Sequence, residues 1–305
     1  MNFGVKSSQF GTYGSYATLR AVWREAESLG FHSGWLFDHF MEPTRRGVTY
    51  DPILEAWTTL SALASETTRL RLGVTVLCVA YRHPAVLAKM ASTLDVISEG
   101  RVELGVGAGW AKNEFNAYGY HFDRPAVRIA KLRETVIILK KMFTDTNPTF
   151  RGKYYTIREA INNPKPVQAK LPIWIGGSGE QFTLRVIAEL ADGWNFEGLT
   201  LGAYKRKRTV LERHCAIVGR NISDIRQSLQ IKLVLASTDR DVKRAMGRTG
   251  VAYSHGVIAG TPERCIDAIS EYVDHGVSLF LLNFIGSEPI HALRLFAEKV
   301  FPSFG

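Results

Sequence analysis

Short apolar runs alternate along the chain with segments in which apolar residues recur every three or four positions. The runs read as buried strands and the periodic segments as amphipathic helices. "NFGVK" (2–6) is followed by a helical pattern near 17–29, where Leu19, Val22, Trp23, Ala26 and Leu29 share one face and Gly30 supplies a stop. "GWLFD" (34–38) leads to a helix near 52–66. "LRLGVTVL" (70–77) leads to one near 84–98, which Pro84 opens. "RVELGVG" (101–107) leads to a long helix near 124–143. The rhythm resumes with "PIWIGG" (172–177) and a helix near 180–191, then "DGWNF" (192–196) and a helix near 202–219. "QIKLVLAS" (230–237) leads to helices ending near 275, and "SLFLLNF" (278–284) to a last helix near 287–301.

These eight strand candidates are continuous rather than alternating in polarity, which implies burial on both faces and parallel pairing. Eight βα units in a chain of 305 residues predict a single (β/α)8 TIM-barrel domain over 1–305, with a doubly wound open sheet as the alternative. One segment breaks the rhythm. Residues 145–171, rich in Pro and Asn and carrying "KYYTI", predict a hairpin and loop inserted on the barrel.

Composition narrows the partners more than the fold. At 46% hydrophobic and 22% charged, the chain has the make-up of a soluble globular protein. No apolar run approaches the roughly 20 residues of a membrane span, and "MNFGVKSSQF" shows no signal-peptide core. Cys78, Cys215 and Cys265 lie far apart and predict free thiols in a reducing cytoplasm. A net charge of +9 and a pI near 9.5 favour anionic partners. The densest basic run, "YKRKRT" (204–209), sits within a helical pattern and reads as a solvated face. No groove-reading motif accompanies it, so nucleic acid is not an expected partner.

Chemistry is expected where barrel strands end. "GWLFDHF" (34–40) closes its apolar run with Asp38 and His39, groups that are costly to bury without partners. "GVGAGW" (105–110) places three glycines at alternate positions, which would let a flat ligand or a phosphate approach the backbone. It is not a dinucleotide fingerprint, since Trp110 stands where the last glycine belongs. "IGGSGEQ" (175–181) opens a helix and would present backbone N–H groups to an anion. The scattered histidines offer no metal motif, and no GxSxG elbow is present. What remains is an organic, phosphate-bearing cofactor held over a barrel mouth.

These residues resemble the bacterial-luciferase-like oxidoreductases, and within them the branch that uses the deazaflavin coenzyme F420. The resemblance spans nearly the whole chain. It rests on "FDHF", on "LGVTVLCVAYRHPAVLAKMASTLDVISEGRVELGVGAGWAKNEF" (72–115), on "FRGKYY" (150–155), on "PIWIGGSGE" (172–180), on "ADGWN" (191–195) and on "GTPERCIDAISEYVDHGV" (260–277). It implies that Asp38 and His39 line the cofactor ring, with His39 as general acid or hydrogen-bond donor and Asp38 orienting it or bonding the ring. It implies a non-prolyl cis peptide at Thr75–Val76 beneath the ring and a ring-edge contact from Cys78. Ala108, Gly109 and Asn113 match contacts on the fourth strand's loop. Gly177, Ser178, Gly179 and Gln181 match the phosphate cradle.

The sugar-phosphate dehydrogenases of this branch carry a glutamate directly after the glycine loop, and here that position is Trp110. An apolar stacking residue there suits an aromatic or enone-like substrate better than a sugar phosphate. The resemblance implies hydride transfer between F420 and a C=C, C=N or alcohol/carbonyl group of a small molecule. His39 would move the proton near neutral pH. FMN-dependent monooxygenation on the same barrel is the rival, and a poorly catalytic flavin-binding partner subunit another. Ser8, Gln9, Trp110, Trp194 and Asn283 are expected to line the substrate pocket, together with the 145–171 insertion. Arg45 and Arg46 are candidates for the cofactor's acidic tail. A cytoplasmic homodimer completes the expectation.

Overall fold

The computed structural model describes residues 1–41, 51–198, 200–249, 256–286 and 288–305. In chain order the first half carries β1 (Asn2–Lys6), α1 (Tyr16–Ser28), β2 (Ser33–Leu36), α2 (Ala56–Glu66), β3 (Arg71–Val74), β4 (Leu77–Cys78), α3 (Pro84–Ile97), β5 (Val102–Gly107), α4 (Lys112–Ala117) and α5 (Pro125–Thr144). The second half carries β6 (Phe150–Arg151), β7 (Thr156–Ile157), β8 (Ile173–Gly176), α6 (Thr183–Leu190), β9 (Gly193–Glu197), α7 (Leu201–Ile217) and β10 (Arg226–Leu235). It ends with α8 (Asp239–Thr249), β11 (Val257–Gly260), α9 (Pro262–Val273), β12 (Leu279–Phe284) and α10 (Pro289–Lys299).

Strands β1, β2, β3, β5, β8, β9, β10 and β12 pair in parallel in that order, and β12 returns to β1. The sheet therefore closes into the (β/α)8 barrel, and the open doubly wound alternative is excluded. Strand β4 continues the third barrel strand beyond a cis Thr75–Val76 peptide and pairs with β5. The uniformly apolar "LRLGVTVL" thus hides a break in the strand. Strand β11 was not expected. It pairs with the upper half of β10, Lys232–Leu235 against Val257–Gly260. Val257, Ile258 and Ala259 are half-buried and only Gly260 is buried, so the strand lacks a strong apolar signal.

The barrel interior is built in layers. At the lower end Glu103, 1% exposed, accepts from Arg71 Nε at 2.5 Å, Trp174 Nε1 at 2.6 Å and Arg226 Nη2 at 2.9 Å. Above it Trp35, Trp174, Leu279 and Leu281 form a sealed apolar plug, the two indoles edge to face at 6.1 Å. Gly73 and Gly193 make room for those indoles, because a Cβ at either would run into the ring. Over the plug lies a polar layer. Thr75 Oγ1 and Gln230 Nε2 both donate to Asn195 Oδ1, and Asn195 Nδ2 donates to Ser228 Oγ at 2.8 Å.

The inserted segment forms the expected hairpin, with β6 and β7 antiparallel. Glu134 on α5 clamps it by accepting from the N–H groups of Lys153, Tyr154 and Tyr155 at 2.7, 3.0 and 2.9 Å. The segment then turns to the lower end, where Gln168 Oε1 accepts from Arg71 Nη2 at 2.7 Å. None of its residues lines the upper cavity, contrary to the expectation that it helps to build the substrate pocket.

Candidate active site

A cavity of about 640 Å³ opens at the C-terminal ends of the strands, within the size range of cofactor and substrate sites. The apolar run of β2 carries the chain up to its wall, where Asp38 and His39 emerge side by side.

The two neighbours have separate supports. Asp38, 4% exposed, accepts a fork from Arg82, Nη1 to Oδ2 at 2.7 Å and Nη2 to Oδ1 at 2.9 Å, and a third bond from the Cys78 N–H at 2.8 Å. Burial pushes its carboxyl up against the pull of that fork. Burial works to lower the proton affinity of Arg82, but Asp38 and Glu55 outweigh it and raise that affinity. The pair is a structural clamp between the second and third strand ends. The expectation that Asp38 orients His39 is thereby corrected.

That task falls to Glu114, a residue the sequence reading passed over. Its Oε2 meets His39 Nδ1 at 3.0 Å and accepts from the Tyr81 hydroxyl at 2.7 Å. Its Oε1 accepts from the N–H groups of Phe40 at 2.5 Å and Met41 at 3.3 Å. Burial would raise the Glu114 carboxyl, but the bonds from His39, Tyr81 and Phe40 outweigh it and hold the group below the usual glutamate value. An ionised carboxylate can only accept, so the shared proton sits on His39 Nδ1. Nε2 is left for the cavity. The imidazole is wedged between Phe37, ring centres 5.0 Å apart, and the edge of Trp110 at 5.4 Å.

The cavity floor is a shelf made by Val76. A Cβ on Gly107 would come within 2.5 Å of Val76 Cγ2, and one on Gly176 within 2.9 Å of both Val76 methyls. The glycines of "GVG" and "IGG" therefore seat the Val76 side chain. Gly105 likewise clears the Val74 carbonyl. This corrects the reading of the first glycine motif as a place where a ligand meets bare backbone. Gly109, at φ +75°, and Gly177, at φ +124°, are the positions where a turn itself requires glycine.

Of the other expected site residues, Ser8, Thr75, Val76, Cys78, Ala108, Gly109, Trp110, Gly177, Ser178 and Asn283 line the cavity. Burial pushes the Cys78 thiol up to about 12, so it presents a neutral sulfur. Gly179 and Gln181 lie on the adjoining loop and are exposed, and Asn113 faces solvent on α4; none of the three is on the cavity wall. Arg45 and Arg46 fall outside the described residues.

Two pocket residues are corrected outright. Trp194 is fully buried on the outer side of β9, stacked with Tyr204 and tilted against Phe196, and donates to the Gly177 carbonyl at 2.7 Å. Parity along β9 sends Asn195 and Glu197 inward instead. Gln9 is also buried away from the cavity. Its side chain donates to Phe37 O at 2.9 Å and accepts from Phe37 N at 3.0 Å, extending the ladder between the first two strands. The sequence reading also missed Lys6, Phe10, Phe37, Arg128, Ile129, Thr183, Gln230 and Lys232, all on the wall. Inward parity on β1 and β10 was the signal for the two lysines. Among the described residues no cluster of His, Cys, Asp or Glu could hold a metal ion, and no helix is long and apolar enough to cross a membrane.

Comparisons with known proteins agree with the barrel fold. The chain is 28% identical to an F420-dependent glucose-6-phosphate dehydrogenase of Amycolatopsis mediterranei, over 91% of each chain. Its fold superposes on an F420-dependent secondary alcohol dehydrogenase, solved with an F420-acetone adduct, with a TM-score of 0.86 at 21% identity over 100% of this chain and 99% of that one. It superposes equally fully on the monooxygenase RslO1 from Streptomyces bottropensis, with a TM-score of 0.83 at 21% identity. The model of the family described as luciferase-like monooxygenase matches residues 1–257, and with that match over a closed barrel of this kind the chain belongs to the luciferase-like family.

Proposed function

We propose that the chain, a single barrel domain over 1–305, is an F420-dependent oxidoreductase. It would move a hydride between the deazaflavin and a C=C, C=N or alcohol/carbonyl carbon of a small organic substrate. The observation that carries this reading is the meeting, on one cavity, of a glycine-seated Val76 shelf with a histidine whose tautomer is fixed by a buried carboxylate. Curated relatives named for F420 dependence support the choice of cofactor.

The residues present fit such a group. Val76 and Thr75 line the floor on which a tricyclic ring would rest, with Cys78 on the same wall. Gly177, Ser178 and Thr183, at the start of α6, stand where a phosphate would be cradled. When bound, the deazaflavin supplies or accepts the hydride. The chain's own part is positioning and proton handling. His39 Nε2 would give a proton to, or take one from, the substrate, while Glu114 holds the ring in place through Nδ1. Asp38 and Arg82 keep the strand end in place and take no part in proton transfer. Trp110, 64% exposed at the rim, offers an apolar face where a sugar-phosphate enzyme would need a carboxylate. That argues for an unsaturated or aromatic substrate. A homodimer and a cytoplasmic location belong to the same reading, on the family resemblance.

Titration with F420, FMN and NADPH, each followed by fluorescence, tests the proposal. Micromolar binding of F420 alone is the expected result. FMN binding without F420 binding would replace it with FMN-dependent monooxygenation. Binding of neither would favour a non-catalytic partner subunit.

A further inference from the structure

Strands β1, β12 and β10 stand side by side, and each sends one polar side chain into the cavity at the same level. Lys232 is in register with Asn283. Lys6 follows Val5, which is in register with Leu282, so it stands level with Asn283 on the other side. The row is therefore ammonium, amide, ammonium, and all three residues line the cavity.

Lys6 is 9% exposed. Among the described residues its Nζ makes no hydrogen bond, and its ion partner Glu197 stands 3.6 Å away. A buried ammonium with unfilled donors is costly. Lys232 is exposed to the cavity and has no ion pair among the described residues. Asn283 donates to Ser8 Oγ at 3.2 Å, but among the described residues its buried Oδ1 has no partner. The other cations here are engaged. Arg82 is held by Asp38 and Glu55, and Arg128 donates to the carbonyls of Gly109 and Asp123.

We infer that this row is an anion subsite for the substrate. Lys6 and Lys232 grip a carboxylate, and a hydroxyl or N–H beside it donates to Asn283 Oδ1. Glu197 balances one of the two ammonium charges, which leaves a single positive charge and matches a monoanion better than a phosphate dianion. Phe10, Phe37 and Trp110 supply the apolar wall for the rest of the molecule. The substrate class is a small aromatic or unsaturated carboxylic acid. Calling this ligand the substrate rests on the hydride-transfer reading; the subsite itself does not.

The test compares trans-cinnamate with methyl cinnamate as binding probes, by calorimetry, with and without oxidised F420. F420 binding is read separately by fluorescence in the same samples. Wild type is expected to prefer the anion by about tenfold or more. Lys232→Met and Lys6→Met should each abolish that preference and leave the ester's affinity unchanged, while Lys232→Arg retains it. Lys232 is exposed, so its variants carry the test if Lys6→Met fails to fold. Equal affinity for the two probes in wild type, no binding of cinnamate, or a preference unmoved by both methionine variants overturns the inference. A protein that prefers the anion but binds no F420 keeps this subsite and loses the hydride-transfer reading. One that binds F420 without the preference loses the subsite alone.

Discussion

His39 and Glu114 are 75 residues apart in the chain, and His39 Nδ1 lies 3.0 Å from Glu114 Oε2. The carboxylate fixes which ring nitrogen faces the cavity. His39→Asn should therefore lower kcat with F420 about 100-fold or more. Glu114→Gln, which keeps the shape but not the charge, should lower kcat about tenfold, with F420 affinity nearly unchanged. Steady-state kinetics beside a fluorescence titration separates the two quantities. A fall in F420 affinity with kcat intact would reject the positioning role.

The clamp between Asp38 and Arg82 is a stability element. Asp38→Ala removes the fork to the Arg82 guanidinium, leaving Glu55 as its acidic partner, and orphans the buried Cys78 N–H. Breaking such a buried pair costs about 3–5 kcal/mol. Urea midpoints should show that loss, and the double change Asp38→Ala with Arg82→Met should cost less than the sum of its parts.

The Val76 shelf predicts a coupled pair. Gly107→Ala drives a methyl into Val76 and should destabilise the fold by about 1–3 kcal/mol. Adding Val76→Ala removes the collision and should restore much of the loss. If the double variant is no more stable than Gly107→Ala alone, Gly107 has some other task.

Acid should weaken the fold through specific carboxylates. Burial would raise Glu114 and Glu55, but their hydrogen bonds hold both below the ordinary value of 4.5. A depressed folded pKa means the stabilisation is complete above that value and is lost as pH falls through the folded one. Denaturant midpoints taken across that acid range should fall more steeply in wild type than in Glu114→Gln. Parallel curves would count against Glu114 as a contributor.

Among the six tryptophans only Trp110 is exposed, the other five being at most 8% exposed. Trp110→Phe should remove nearly all acrylamide-quenchable emission. Persistent quenching would mean that the barrel plug opens in solution.

The strand order was readable because parallel strands buried on both faces leave continuous apolar runs, each followed by a helix that returns the chain to the start of the next barrel strand. The site was readable only in part. Asp38 and His39 stood out as polar groups ending an apolar run. Glu114 did not, because "AKNEF" looks like any solvated helix start, and its burial comes from partners 33 to 75 residues away. Trp194 was misplaced because parity along β9 turns it outward; Asn195, its smaller neighbour, lines the cavity. The first glycine motif was noticed for the wrong reason, since the Val76 side chain that Gly107 accommodates belongs to the third strand, which no local pattern reveals.

The apolar plug under the polar layer has an electrical consequence. Trp35, Trp174, Leu279 and Leu281 are a slab of weakly polarisable matter beneath the charges of the well. Field lines from Lys6 and Lys232 are poorly screened from below and spread outward through the mouth. An approaching anion would sense that potential before touching the protein, out to about 10 Å at 0.1 M salt. A chain of net charge +9 thus concentrates part of its attraction in one direction. Capture of a negatively charged ligand should accordingly slow as salt is added, while its escape rate stays nearly constant.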